Sequence, residues 1–146
     1  MNKIINSKLC RISKSAIPVT GITAIDDDHQ LLVSLYNKFI SSFSDNKNNH
    51  QQSLMFLADF SEFSKDHFRR EEALMASVSY DHFIRHKTCH DTFANTLSTM
   101  LKQFGTEHVS MAMAGDFLYK WIDVHLNTED VGASCIIHDE TDFRTT

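Results

Sequence analysis

The chain has 146 residues, of which 42% are hydrophobic and 23% charged, a composition that suits one globular domain around a single core. The net charge of −5 and the lack of a basic stripe in the body of the chain exclude a typical nucleic-acid binder. No apolar run approaches the roughly 18 residues of a membrane span, and no signal-peptide core is present. We therefore expect a cytoplasmic protein with no nucleic-acid or membrane partner, and the sequence indicates no particular protein partner.

The first segment of the chain is basic and lacks aromatic residues. Four cations precede the first acid, Asp26, and they are Lys3, Lys8, Arg11 and Lys14. A mitochondrial presequence can have this composition, but a short, loosely ordered N-terminal arm is the interpretation that we favour. We predict an arm over residues 1–20, one folded domain over residues 21–132 and a C-terminal tail over residues 133–146.

Four segments of the domain repeat apolar residues at helical spacing. The first begins near Asp26, where acidic residues favour a helix start, and ends at the polar run 44–49. The next three segments cover about 50–76, 82–104 and 109–126. Because only 4 glycines and 1 proline interrupt the chain, and the turns are short, we predict an all-α fold, an up-down-up-down four-helix bundle with an N-terminal arm.

Histidine is unusually frequent, with nine in the chain. Some of these histidines recur on the apolar faces of the predicted helices, at the spacing of four that stacks side chains on one face. The positions concerned, together with one glutamate, are His29, His67, Glu71, His86, His90 and His125.

Imidazole and carboxylate groups inside a bundle are costly to bury without partners. A metal centre would satisfy them together, and a donor set without thiolate favours iron or manganese over a structural zinc site. Any one of these histidines, taken alone, is more simply a hydrogen-bonded core residue. His82, His86 and His90 also form a ladder in which spacing does not decide between members. The three cysteines, Cys10, Cys89 and Cys135, show no paired spacing and are expected to be free thiols.

Four motifs in order resemble the hemerythrin family. Residues 25–32 (IDDDHQLL) are similar to ID-x-x-H-x-x-L, and residues 67–75 (HFRREEALM) to HF-x-x-EE-x-x-M. Residues 80–93 give Y…H-x-x-x-H-x-x-F, and residues 121–130 give W-x-x-x-H-x-x-x-x-D. The resemblance covers about residues 20–131 and implies a bundle that holds two iron ions with a bridging oxo or hydroxo group.

Carried over residue by residue, the resemblance implies a metal-ligand set. One iron would be bound by His86, His90 and His125, and the other by His29 and His67. Glu71 and Asp130 would bridge the two ions, while His82, His50, His108 and His138 match no ligand position. Because Asp130 follows His125 by five residues, which is off the same face of a regular α-helix, we expect the fourth helix to end or widen near residues 127–130.

The resemblance also implies an apolar dioxygen pocket at the iron with two histidines. The residues at its pocket-lining positions are Leu32, Phe68, Phe93, Trp121 and Leu126. We therefore expect reversible dioxygen binding for storage, delivery or sensing rather than an enzyme. The alternatives are a di-iron oxidase, peroxidase or nitric oxide-handling enzyme, and a helical interaction module with a dead site. The arm departs from the family pattern because it has no aromatic residue, so we expect it to cover the bundle less completely.

Overall fold

The computed structural model describes residues 10–44, 50–78, 82–104 and 110–129. Four α-helices make up most of these residues, and they are α1 (Thr23–Ser44), α2 (His50–Ser77), α3 (Phe83–Gln103) and α4 (Met111–Val124). A short 3₁₀ turn, Lys14–Ala16, precedes α1, and a π-helical turn, His125–Glu129, follows α4. The predicted all-α architecture is confirmed, and the predicted starts and ends of α2 and α3 are right to within one residue.

Contacts at both ends of α1 and α2 show how the helices run. Near one end of the bundle, the hydroxyls of Ser42 and Ser53 lie 2.6 Å apart, and near the other end Asp28 contacts His67. Since the end of α1 meets the start of α2, the two helices are antiparallel. Helices α2 and α3 pack together, α1 also lies against α4, and aromatic side chains join α3 to α4. This arrangement is the predicted up-down-up-down bundle.

One hydrophobic cluster fills the bundle and continues up to the histidine positions. The largest side chains that are fully buried in it are Leu32, Tyr36, Phe39, Leu57, Phe60, Leu97, Leu118 and Leu126. Side chains of this kind stabilise a fold by about 1.5–3 kcal/mol each when they leave water. The core therefore provides a rigid frame in which buried polar groups can be placed accurately.

Helix α1 begins at Thr23, three residues before the predicted start at Asp26. The Asp26 carboxylate accepts hydrogen bonds from the backbone N–H and the hydroxyl of Thr20, at 2.8 and 2.7 Å, and from the N–H of Gly21 at 3.0 Å. Gly21 has a φ of 85°, which disfavours any residue with a Cβ. Asp26 thus lies within the first turn of α1 and holds the preceding loop by hydrogen bonds. The helix therefore begins before the acidic run that was predicted to mark its start.

The end of the fourth helix widens, as the spacing between His125 and Asp130 predicts. Regular α-helix stops at Val124 and a π-helical turn continues over His125–Glu129. The side-chain amide of Asn127 donates to the backbone carbonyl of Asp123 at 2.8 Å, which helps to satisfy a carbonyl near the change of geometry. Asp130 itself lies outside the described residues.

The described part of the arm lies against α1. The backbone N–H of Ile12 donates to the Asn37 side chain at 2.8 Å, and the Asn37 amide donates back to the carbonyl of Ile12 at 3.0 Å. Ile12 and Ile17 pack on the main core. A cavity of about 100 Å³ remains beneath them, and Leu126 forms part of its wall. The arm therefore covers the bundle without filling all the space under it.

No helix in the described ranges combines the length and apolarity that crossing a membrane requires. Cys10 and Cys89 are exposed free thiols, as expected, whereas Cys135 lies outside the described residues. The cytoplasmic location and the boundaries drawn at residues 20 and 132 stay predictions.

Candidate metal centre

All six of the predicted ligand side chains in the described residues converge at one end of the bundle. Helix α1 contributes one of them, α2 and α3 contribute two each, and the π-helical turn contributes the last. None of them is more than 2% exposed, and they are His29, His67, Glu71, His86, His90 and His125. Four separate chain segments therefore place imidazole and carboxylate groups in a common interior site.

Glu71 lies at the centre of this site. Its Oε1 atom is 2.5 Å from His86 Nε2, 3.2 Å from His90 Nε2 and 3.8 Å from His125 Nε2. Its other oxygen, Oε2, is 3.2 Å from His67 Nε2. The two carboxylate oxygens therefore face different sets of histidines.

The donor atoms form two groups that share Glu71. One group joins Glu71 to His86, His90 and His125, and the other joins it to His29 and His67. Within each group the possible ligand atoms lie within 4.8 Å of one another. The donor groups thus contain three and two histidines, the numbers that the family resemblance implies, with a carboxylate common to both groups.

The chemistry of these contacts fits metal ions. The outer ring nitrogens of His67 and His90 donate to carboxylates, so in the neutral ring each Nε2 presents a lone pair to Glu71. Two acceptors that face each other repel unless a cation lies between them. Metal bonds of about 2.0–2.2 Å to nitrogen and oxygen place neighbouring donors of one ion about 3 Å apart, close to the 3.2 Å separations here. The buried donors therefore suit cation binding.

Asp28 holds the outer side of His67. His67 Nδ1 donates to Asp28 Oδ2 at 3.0 Å, and Arg70 donates to both oxygens of the same carboxylate at 2.9 and 2.8 Å. Burial alone would raise the pKa of Asp28, but the hydrogen bonds from His67 and Arg70 outweigh it and hold the pKa below its usual value. Asp28 is therefore an anion that ties α1 to α2 beside the site.

Glu72 has the same relation to His90. His90 Nδ1 donates to Glu72 Oε2 at 2.9 Å, and the ammonium group of Lys87 lies 3.7 Å from the other carboxylate oxygen. The sequence patterns predicted no role at the site for either Asp28 or Glu72. Their positions in the sequence could have indicated this role, since each acid is adjacent to a predicted ligand. A metal-bound histidine usually needs a hydrogen-bond acceptor for its other ring nitrogen.

Aromatic rings enclose the three-histidine side of the site. Phe68 stacks on His90 with ring centroids 4.0 Å apart, and Trp121 stacks on His125 at 4.6 Å. Phe93 in turn stacks on Trp121 at 4.0 Å. Of the predicted pocket residues, Leu32, Phe68, Phe93 and Leu126 are buried, while Trp121 is partly exposed. Phe93 and Trp121 lie against the three-histidine group, whereas the resemblance implies a pocket at the iron with two histidines. These contacts fix the ring planes of two predicted ligands and limit the entry of water.

The structure separates two of the other histidines, His82 and His50, from the site. His82, the third member of the ladder on α3, is exposed at the N-cap of that helix, and His50 is exposed at the start of α2. His108, His138 and the predicted bridging residue Asp130 lie outside the described residues. The ambiguity among His82, His86 and His90 is thus resolved in favour of the buried pair.

Comparison with known proteins gives a consistent result. The model of the hemerythrin HHE cation-binding domain matches residues 20–132. A bacteriohemerythrin of Clostridium acetobutylicum is 25% identical over 114 residues, which are 75% of this chain and 88% of the relative. One of Pseudomonas aeruginosa is 26% identical over 114 residues, 77% of this chain and 72% of the relative. No solved structure matches the chain significantly. The match along most of the domain and the buried histidine–glutamate cluster show that this chain belongs to the hemerythrin family and binds non-haem iron.

Proposed function

We propose that the chain is a di-iron protein that binds dioxygen reversibly, in storage, delivery or sensing. The observation that carries the proposal is the Glu71 carboxylate, whose two oxygens face two separate groups of buried histidines. Carboxylates bridge paired iron ions in bundle interiors of this kind. A pair of ferrous ions held there would supply the two electrons that reversible dioxygen binding needs.

The proposed ligands follow the two groups. His86, His90 and His125 would hold one ion, and His29 and His67 would hold the other. Glu71 would be shared by the two ions, as would Asp130 by extension of the sequence pattern. The ion with fewer protein ligands would be the one open to dioxygen.

The surroundings support reversible binding over an oxidase or peroxidase reaction. Release of peroxide needs a proton donor, whereas Leu32, Phe68 and Leu126 are apolar and almost fully buried. The hydroxyl of Tyr36 donates to the carbonyl of Cys10 in the arm at 3.2 Å, and burial raises the pKa of Tyr36 well above its usual value of 10.0. That hydroxyl is therefore a poor source of protons for the site.

A spectroscopic experiment tests this function. The purified protein is loaded with ferrous iron without oxygen, exposed to air and then flushed with argon, while its visible spectrum is recorded. We expect about two iron ions per chain and a charge-transfer band that appears with dioxygen and fades on its removal. Irreversible oxidation with release of peroxide would instead establish the enzyme alternative, and a protein that takes up no iron would refute the proposal.

Two histidines four residues apart, one at the N-cap of α3 and one within α3, provide a matched pair of variants. His86→Ala removes a buried proposed ligand, whereas His82→Ala removes an exposed side chain of the same type. We expect only His86→Ala to lower the iron content and abolish the reversible band. Equal behaviour of the two variants would show that the ligand assignment on α3 is wrong.

A further inference from the structure

Two buried or partly buried carboxylates lie just outside the proposed ligands, one beside each group of histidines. Asp28, on α1, accepts from His67 of α2, and Glu72, on α2, accepts from His90 of α3. Each carboxylate is adjacent in sequence to a proposed ligand, His29 or Glu71. Helices α1 and α2 therefore each supply a proposed ligand together with a carboxylate that orients a ligand on the next helix.

These contacts fix which nitrogen of each ring faces the site. When Nδ1 donates its proton to a carboxylate, Nε2 of a neutral imidazole is left as the acceptor, and it is Nε2 that faces Glu71 in both His67 and His90. An anionic partner also pulls on the Nδ1 proton and increases the electron density on the ring. A ring of this kind binds a cation more tightly and stabilises ferric more than ferrous iron.

We propose that Asp28 and Glu72 are positioning residues that set the iron affinity and the reduction potential of the site through His67 and His90. The inference rests on the proposed di-iron function but concerns residues that bind no metal themselves. A cation lies on the outer side of each carboxylate, Arg70 beside Asp28 and Lys87 beside Glu72. We call His67, Asp28 and Arg70 the Asp28 unit, and His90, Glu72 and Lys87 the Glu72 unit. The two units thus run from the interior through histidine and carboxylate to a cation at the surface.

The Asp28 unit is the stronger of the two. The side chain of Asp28 is 9% exposed, and Arg70 donates to both of its oxygens, a two-point contact that fixes the plane of the carboxylate. The side chain of Glu72 is 19% exposed, and Lys87 is shared with Asp91, which it contacts at 3.0 Å. Water screens the second carboxylate more, so its charge acts on the ring more weakly.

The main experiment compares Asp28→Asn with Asp27→Asn. Both changes remove one negative charge from α1, but Asp27 is exposed whereas Asp28 contacts His67. Ferrous-iron affinity is measured without oxygen by competition with a chelator, and the reduction potential by spectroelectrochemistry. For Asp28→Asn we expect affinity to fall about 10- to 100-fold and the potential to become more positive. Asp27→Asn is expected to match the wild-type chain in both measurements.

A second pair of variants keeps the inference testable should Asp28→Asn fold poorly. Glu72→Gln is compared with Glu62→Gln, an exposed glutamate on the same helix, and we expect the same directions of change as for Asp28→Asn but smaller ones. In the iron-free protein, ¹⁵N NMR should find the proton of His90 on Nδ1, and this preference should weaken in Glu72→Gln.

The outcomes separate this inference from the function on which it rests. If the wild-type chain binds iron and neither Asp28→Asn nor Glu72→Gln differs from its control, the positioning role is overturned while the di-iron function stands. If the wild-type chain takes up no iron, both fall. A weaker iron affinity with an unchanged reduction potential would also overturn the positioning role. That result would mean that the substitutions disturb the packing of the site and do not change the electron density of the rings.

Discussion

Glu71 is the residue on which the two halves of the site depend. It contacts histidines of both groups, whereas His29 belongs to one group alone. We therefore expect Glu71→Ala to lose most of the iron at both positions, and His29→Ala to retain about one ion per chain, on the three-histidine side. Metal analysis of protein purified with excess iron, together with the visible spectrum, measures this difference. An equal loss of both ions in His29→Ala would show that the two positions are not independent.

The types and numbers of the proposed ligands could be predicted from sequence, but their outer partners could not. His67 and Glu71, like His86 and His90, are four residues apart on one helix, so periodicity places each pair on one face, although it does not separate His86 and His90 from His82. Asp28 and His67 are 39 residues apart, and no local pattern predicts that they meet. Glu72 is a neighbour of a ligand, but on a helix adjacent residues point about 100° apart, so only the packing of α3 decides what it contacts.

The start of α1 is the element whose stability depends most clearly on pH. Burial would raise the pKa of Asp26, but the hydrogen bonds from Thr20 and Gly21 outweigh it, and the pKa lies below its usual value of 3.8. A carboxyl whose pKa is lower in the folded chain stabilises the fold above its unfolded pKa. That stabilisation is lost as the pH falls through the lower, folded pKa.

We therefore expect Asp26→Asn to lower the free energy of unfolding of the iron-free protein by about 1–2 kcal/mol at pH 7. The difference from the wild-type chain should shrink as the pH is lowered from about 5 to 3, because the wild-type carboxyl becomes protonated as well. Urea unfolding at several pH values measures it, with the exposed Asp27→Asn as the control. A difference that is independent of pH would mean that the charge of Asp26 does not matter.

The positions of the helices along the chain could be predicted from periodicity, but the residues that face the core could not all be predicted in this way. Leu31 and Leu32 both fit the apolar stripe of α1 by their spacing, yet Leu32 is fully buried and Leu31 is 43% exposed. The buried face of α1 continues from Leu32 to Val33, which is 3% exposed, so this face lies on the side of the helix away from Leu31. Met113 is apolar but 46% exposed, because the smaller Ala114 and Gly115 occupy the buried positions next to it on α4.

For the whole molecule, the metal site and the fold should be linked. Five histidines and a glutamate buried within a few ångströms of one another oppose folding unless cations balance them. At an iron concentration 100 times the Kd, each bound ion adds about 2.7 kcal/mol to the stability. We therefore expect loading with iron to raise Tm by on the order of 10 °C.

Calorimetry of the chelated and reloaded protein checks this expectation. Glu71→Ala serves as the control, because its Tm should hardly respond to iron. A wild-type Tm that is the same with and without iron would show that the bundle is organised without help from the site. The sequence alone could predict the bundle that makes this coupling possible, since four periodic segments joined by short turns have few ways to pack.

The π-helical turn at His125–Glu129 restricts the length of the chain rather than the type of any one residue. Inserting or deleting one residue in a regular α-helix rotates everything beyond it by about 100°. A related sequence that lost one residue between positions 125 and 130 would keep every proposed ligand type and would still match the family by composition. The aspartate that follows its last histidine would, however, be rotated away from the face of the helix on which that histidine lies. Among relatives of this chain, a change in residue count here is therefore a stronger sign of altered metal chemistry than many substitutions elsewhere in the bundle.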